Sequence, residues 1–222
     1  MDEIERLLAE AYQLMRAERN LEAAELLRLT AEARPGDARV LVAWAEALIG
    51  LRWLEQARWK LDRAIEVDDT YAPAYLRSGQ LLLRLGLPVL AVERFKQVAL
   101  VLEPAAAAAY AGWGEAREDL GDDPGAARML EEAVARADTS ASRAEHLLRL
   151  GEVLQRLKRL KPALEAYRMV VEMEADGLSR EHRFRALRAS AGAAPASMAG
   201  QRIRGCRSSG ASPICIIYFS LF

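Results

Sequence analysis

Small residues recur along this chain at a nearly fixed interval, each with a bulky apolar residue one helical turn further on. Ala23, Ala57, Ala91, Ala126 and Ala163 follow one another at spacings of 34, 34, 35 and 37 residues. Twelve residues before each stands another small one, Ala11, Ala45, Gly79, Gly114 and Gly151. Four residues after each stands Leu27, Leu61, Phe95, Leu130 or Tyr167. Two antiparallel helices approach closely only where neither carries bulk at the crossing. A small residue on one helix facing alanine on the next supplies that contact, and the large residue a turn later fills the space between successive pairs. The period predicts five helical hairpins, at about 4–34, 38–69, 72–104, 107–139 and 144–176. A helix over 178–190 follows, polar enough to cap the end of a stack.

Proline and glycine divide the chain in the same places. Pro88, Pro124 and Pro162 fall near the start of the second helix of a pair, where a missing N–H costs little. Pro35 and Pro104 fall just past the end of a pair, and Pro73 opens the third. Gly86 and Gly121 mark turns inside pairs three and four. Alternation with period two, the signature of a half-buried strand, is absent from the body.

These residues resemble the tetratricopeptide repeat, which places a small residue at repeat position 8, alanine at 20, an aromatic or leucine at 24 and a breaker near 32. The stretch WGEAREDLGDDPGAARMLEEAVA, from Trp113 to Ala135, is most similar to the repeat. The sequence departs from the pattern at position 27, where Thr30, Val98 and Val170 replace alanine, and at position 32, where only Pro35 is proline in register. The resemblance covers about residues 4–176 and implies an all-α superhelix, a solenoid of about five such hairpins with a C-terminal capping helix.

It also implies a concave groove lined by the first helix of each pair. Position 5 is Leu8, Val42, Leu76, Ala111 and Leu148; position 9 is Tyr12, Glu46, Gln80, Glu115 and Glu152. Position 12 is Met15, Ile49, Leu83, Glu118 and Gln155. Carried over in this way, the groove is expected to be apolar in its N-terminal half and increasingly acidic beyond. Some co-chaperones with this repeat capture a C-terminal carboxylate through Lys and Asn at these positions. Here Lys60, Lys96, Lys158 and Lys161 all fall elsewhere, and Asn20 is in a turn. The expected guest is therefore a protein or peptide segment with apolar anchors for Leu8, Tyr12, Val42 and Leu76, and basic residues for Glu115, Glu118 and Glu152. A self-assembling repeat protein, or the accessory module of a truncated larger protein, are the alternatives.

Composition narrows the rest. The chain has 222 residues, 52% hydrophobic and 28% charged, which excludes a disordered or collagen-like molecule. A net charge of −1 gives no pull toward nucleic acid or membrane. Met1-Asp2-Glu3-Ile4-Glu5 is acidic where a secretory signal would be basic, so a cytoplasmic protein is expected. From Ala191 the helical pattern stops. Residues 191–222 hold three arginines and no acid, so without them the net charge of −1 becomes −4. This tail, with Cys206 and Cys215, reads as a flexible extension, a non-native reading frame, or a short membrane-associating or partner-docking hook built on Ile214, Ile216, Ile217, Tyr218 and Phe219.

Catalytic patterns are missing. His146 and His182 lie far apart, without an HExxH partner, and are expected to face solvent; no metal or other cofactor is implied. Arg117 stands where a third glycine would complete G-x-G-x-x-G after Gly112 and Gly114. No serine has Gly-x-Ser-x-Gly surroundings. Asp122 or Asp123 is expected to cap a helix beside Pro124, and Trp44, Trp53, Trp59 and Trp113 to pack. Protein binding without catalysis is the reading that remains.

Overall fold

A computed structural model describes residues 3–173 and 180–193. All regular structure among them is helical: eleven α-helices and one π-turn. The first hairpin is α1 (Glu3–Arg16) and α2 (Asn20–Ala33), the second α3 (Ala38–Gly50) and α4 (Leu54–Val67). The third is α5 (Ala72–Arg84) and α6 (Pro88–Gln97), continued by the π-turn Val98–Leu102. Then come α7 (Ala107–Asp119), α8 (Asp123–Arg136), α9 (Ser140–Arg156), α10 (Leu160–Glu172) and α11 (Arg180–Ala193). The tail beyond residue 193, with both cysteines, lies outside the described residues, as does the 174–179 stretch where the fifth hairpin was expected to end and the cap to begin. The chain divides into two compact units, Met1–Leu120 with α1 to α7 and Gly121–Phe222 with α8 to α11.

In each unit the residues of the repeat sit where two helices cross. Ala11, Ala23 and Leu27 are wholly buried, as are Ala45, Ala57 and Leu61, and Ala91 and Phe95. Ala126, Leu130, Ala163 and Tyr167 are equally inaccessible in the second unit. Full burial of each large side chain contributes about 1.5–3 kcal/mol. Their volumes are matched in four of the five repeats, the exception being Leu130, whose small partner in register is Gly114. Where the large residue is Leu27 or Leu61, the small one is Ala11 or Ala45. Where it is Phe95 or Tyr167, the small one is glycine. A Cβ on Gly79 would lie 2.7 Å from the Phe95 ring, and one on Gly151 would lie 2.3 Å from the Tyr167 ring.

The two longer spacings have separate structural causes. The extra residue between Ala91 and Ala126 is absorbed in the π-turn Val98–Leu102. There the buried Tyr110 hydroxyl donates to the Ala99 carbonyl at 3.0 Å. The three further residues between Ala126 and Ala163 lengthen α9 at its N-terminus. It has 17 residues where α3, α5 and α7 each have 13, and it begins at Ser140 rather than at the expected 144. The Thr139 side chain caps this extra turn by accepting from the Ser142 N–H at 3.1 Å. Asp122 caps α8, accepting from the Gly125 N–H at 2.9 Å.

The turn inside every hairpin reaches the left-handed region at one residue: Glu18, Arg52, Gly86, Gly121 and Lys158, with φ between 57° and 75°. In the second hairpin Arg52 N–H bonds the Ile49 carbonyl at 3.1 Å and Trp53 N–H bonds that of Leu48 at 2.9 Å, a Schellman closure. Only two of the five positions carry the residue that adopts this conformation without strain. A side chain there costs about 1–2 kcal/mol, against about 0.5–1 kcal/mol of extra chain entropy for glycine. Arg52→Gly should therefore stabilise the chain by up to about 1 kcal/mol, read as a higher urea midpoint. An unchanged or lower midpoint would contradict this account of the turn.

α11 extends the repeat rather than only covering it. Ala186 stands 35 residues after Gly151 and is wholly buried, as the small residues of the other first helices are. α11 packs on α10 and on α9, just as α3 packs on α2 and α1. The helix expected as a cap thus has the placement of a sixth first helix.

Candidate protein-binding face

First helices lie beside one another in the N-terminal unit, α1 with α3, α3 with α5 and α5 with α7. Their accessible residues follow one stripe at spacings of four, three and four, which is one face of a helix. On α5 the stripe is Pro73, Arg77, Gln80 and Arg84; on α3 it includes Arg39 and Glu46; on α1 it is Glu5, Ala9, Tyr12 and Arg16. On α1 and α5 repeat positions 2, 6, 9 and 13 lie on the accessible side, whereas on α3 position 6 is the wholly buried Ala43; positions 5 and 12 are buried or half-buried on all three helices.

Several expected groove residues are therefore in the core. Val42 is 3% exposed and packs with Ala45, Leu48 and Leu61; Leu148 is 1% exposed and packs with Leu147 and Tyr167. Neither is open to a guest. The reason is geometric: position 5 precedes the crossing residue at position 8 by three, so both share the packed side of the helix. Leu8 and Met15 are half-buried against the first core cluster, and Ile49 is half-buried against the second. Leu76 and Leu83 are half-buried as well, whereas Tyr12 and Gln80 are exposed.

A polar network crosses the α3–α5 surface. Glu46 Oε1 lies 2.5 Å from Arg77 Nε, joining the two helices. Arg77 Nη1 donates to Gln80 Oε1 at 3.1 Å. The pair is partly exposed, so its contribution to stability is about 0–1 kcal/mol, and its main consequence is to fix the guanidinium in place. With its oxygen engaged, Gln80 has its amide hydrogens left to offer. Arg84, one turn along the same stripe, forms no ion pair among the described residues. Tyr12 sits beside this network at 39% exposure. Burial, reinforced by the Glu46 charge, pushes its phenol up to about 12, so the hydroxyl remains a donor at neutral pH. At the neighbouring edge, Arg39 pairs with Asp37 at 2.7 Å and holds that carboxyl below its ordinary range, first by the side-chain hydrogen bond. Burial raises the nearby Tyr71 phenol.

The carboxylates expected to line the groove are already engaged. Glu46 holds Arg77. Glu115 and Glu118 on α7 are half-buried and interact within the chain. In the second unit Glu152 lies 3.9 Å from Arg185. Gln155 accepts the Tyr167 hydroxyl at 2.7 Å, and burial followed by the Glu152 charge pushes that phenol up to about 12. In the N-terminal unit the accessible stripe is thus aromatic and arginine-bearing where an apolar surface was expected. Arg77 and Arg84 escape a reading by repeat position because they occupy positions 6 and 13. Their four- and three-residue spacing on either side of Gln80 was the available signal.

Other expectations also change. Trp113 is buried, but Trp53 and Trp59 are 47% and 61% exposed, with Lys60 Nζ 4.5 Å from the Trp59 ring and 3.2 Å from that of Trp44. Neither indole is a core residue. His146 does not simply face solvent: its Nδ1 is buried without a partner, Nε2 meets Ser142 Oγ at 3.1 Å, and burial lowers its pKa. His182 is half-buried, 3.5 Å from Glu145. Among the described residues no three His, Cys, Asp or Glu side chains converge as metal donors, and no helix is long and apolar enough to cross a membrane.

No protein-family model matches the chain, and no curated protein sequence does. Solved structures do. PilF of Pseudomonas aeruginosa superposes with a TM-score of 0.71 at 16% identity, covering 92% of each chain. A thermophilic tetratricopeptide-repeat protein of Thermus thermophilus gives 0.66 at 21% identity, over 83% of this chain and 97% of that one. MamA of Desulfovibrio magneticus gives 0.65 at 23% identity, over 78% and 96%. Taken with the buried small–small–large register in both units, these similarities identify the chain's fold as that of the tetratricopeptide-repeat proteins.

Proposed function

We propose that this chain is a protein-interaction module, not an enzyme, and that the first-helix stripe of its N-terminal unit holds an extended segment of a partner protein. The observation that supports this most is the Glu46–Arg77–Gln80 network beside Tyr12. Exposed arginines usually move freely and lose entropy on binding; Arg77 is already held by a carboxylate and an amide. Arg77, Gln80 and Arg84 together offer hydrogen-bond donors on one side of α5, a helix that itself carries no acidic residue. A guest that fits presents acceptors there, as Asp or Glu side chains or backbone carbonyls. Its apolar side chains rest on Tyr12 and on the half-buried Leu76 and Leu83. This face therefore favours an acidic segment over the basic one expected from residue positions alone.

Selection of peptides from a random library against the full chain tests the reading. Enrichment of Asp and Glu flanking apolar residues is expected. Arg77→Ala combined with Arg84→Ala should then weaken a selected peptide by at least about tenfold, or about 1.4 kcal/mol. Arg58→Ala, on α4 away from the stripe, should leave the affinity unchanged. Enrichment of Lys and Arg, or equal binding by the double variant, would overturn it.

A further inference from the structure

In the second unit α11 packs across a face made by α9 and α10. The helix is held by small residues and by charge. Ala186 is wholly buried in the cluster that contains Leu147, Leu150, Leu154 and Val170, with Ala189 packed at its margin. Ser190 is also buried, its hydroxyl donating to the Leu187 carbonyl of the same helix at 2.8 Å. The one aromatic residue of α11, Phe184, points outward at 67% exposure. Among the described side chains of α11 only Ala186 and Ser190 are buried and Leu187 is half-buried, whereas α3, α5, α7 and α9 each bury leucine, valine, tyrosine or tryptophan.

Charge supplies the rest. Arg185 Nη1 lies 2.9 Å from Glu145, and Nη2 lies 3.9 Å from Glu152, so one guanidinium spans two carboxylates a little under two turns apart on α9. His182 stands 3.5 Å from the same Glu145, and Arg183 donates to the Met173 carbonyl at 2.9 Å. The ion pairs are 40–50% exposed and hence individually weak and salt-sensitive. Beneath them lies a strongly apolar surface made by α9 and α10. A weakly held helix over a strongly apolar face is a local unit that opens at low cost.

We propose that the α9–α10 face is a binding site for an arginine-bearing helix with a small-residue face, and that α11 occupies it in cis and exchanges with such a helix from a partner. Complementarity runs through Glu145 and Glu152 for the arginine and through the Leu147, Leu150 and Leu154 surface for the small residues. The partner helix has the chemistry of α11 itself: arginine followed directly by alanine, with a second small residue a turn beyond.

Two measurements on the full chain test this. By hydrogen exchange at low salt, α11 amides should exchange at least about tenfold faster than those of α9, and raising the salt to about 0.5 M should accelerate α11 selectively. Equal protection of the two helices, or no response to salt, would overturn the proposal. In the second, a labelled peptide of residues 180–193 is titrated into the full chain. The Arg185→Glu, Ala186→Glu variant, with its helicity verified by circular dichroism, should bind the peptide at least about tenfold more tightly than the unaltered chain, whose resident helix competes. Adding Glu145→Arg and Glu152→Arg should abolish that gain. Equal binding by the opened variant and the unaltered chain would show that α11 is a fixed part of the fold.

Discussion

Phe95→Ala should lower the unfolding free energy by about 3–5 kcal/mol, the range for a fully buried aromatic side chain. Phe95 is 0% exposed and its ring fills the space left by two glycines. A Cβ on Gly79 would lie 2.7 Å from the ring, and one on Gly112 would lie 2.4 Å from it. Neither glycine has a side chain that could relax into the void, so the cavity persists and the cost belongs at the upper end. Phe95→Leu should cost much less. Adding Gly79→Ala to it should recover stability, because Ala with Leu is the pairing of the first two hairpins. Urea unfolding followed by far-ultraviolet circular dichroism measures all three. A loss below about 1 kcal/mol for Phe95→Ala would mean that the ring does not set the spacing of these helices.

Gly151→Ala probes the same rule from the small side. Alanine normally gains about 1 kcal/mol over glycine inside a helix. Here its Cβ would lie 2.3 Å from the Tyr167 ring, which is wholly buried and tied through its hydroxyl to Gln155 at 2.7 Å. The ring cannot withdraw without breaking that bond. The substitution should therefore destabilise by about 1–3 kcal/mol, the usual cost of overpacking. In a Tyr167→Leu background the same change should become neutral or favourable. The difference between the two backgrounds is the coupling energy, expected at about 2 kcal/mol or more. Additive effects would show that the ring and the glycine do not constrain one another.

These two sites also show what was readable without coordinates. The crossing residues were legible because each must be small for the same steric reason in every hairpin, so the constraint repeats and the pattern accumulates. The lengths 35 and 37 were visible, but not where the extra residues would go. A π-turn and an extra first turn of α9 leave no mark in a count of spacings. The left-handed turn residue was legible at Gly86 and Gly121 only, since Glu18, Arg52 and Lys158 accept the strain that glycine would have advertised. The binding face was the least legible. Positions 5 and 9 look alike in a list, yet Val42 is inside and Gln80 outside. Arg77 gained its role from Glu46 on a different helix, 31 residues earlier in the chain, a relation that no local pattern contains.

In α geometry each residue advances the chain by about 100° around the helix axis. One surplus residue near the end of α6 would thus turn every later side chain by more than a quarter of a circle. Widening a single turn at Val98–Leu102 cancels that rotation before α7 begins, at the cost of pushing Leu100 and Val101 out to 60% and 62% exposure. The misfit is confined to one spot, where a tyrosine hydroxyl from α7 secures the Ala99 carbonyl. Two neighbouring greasy side chains at the surface are what remains visible of an irregularity that the following helix never experiences.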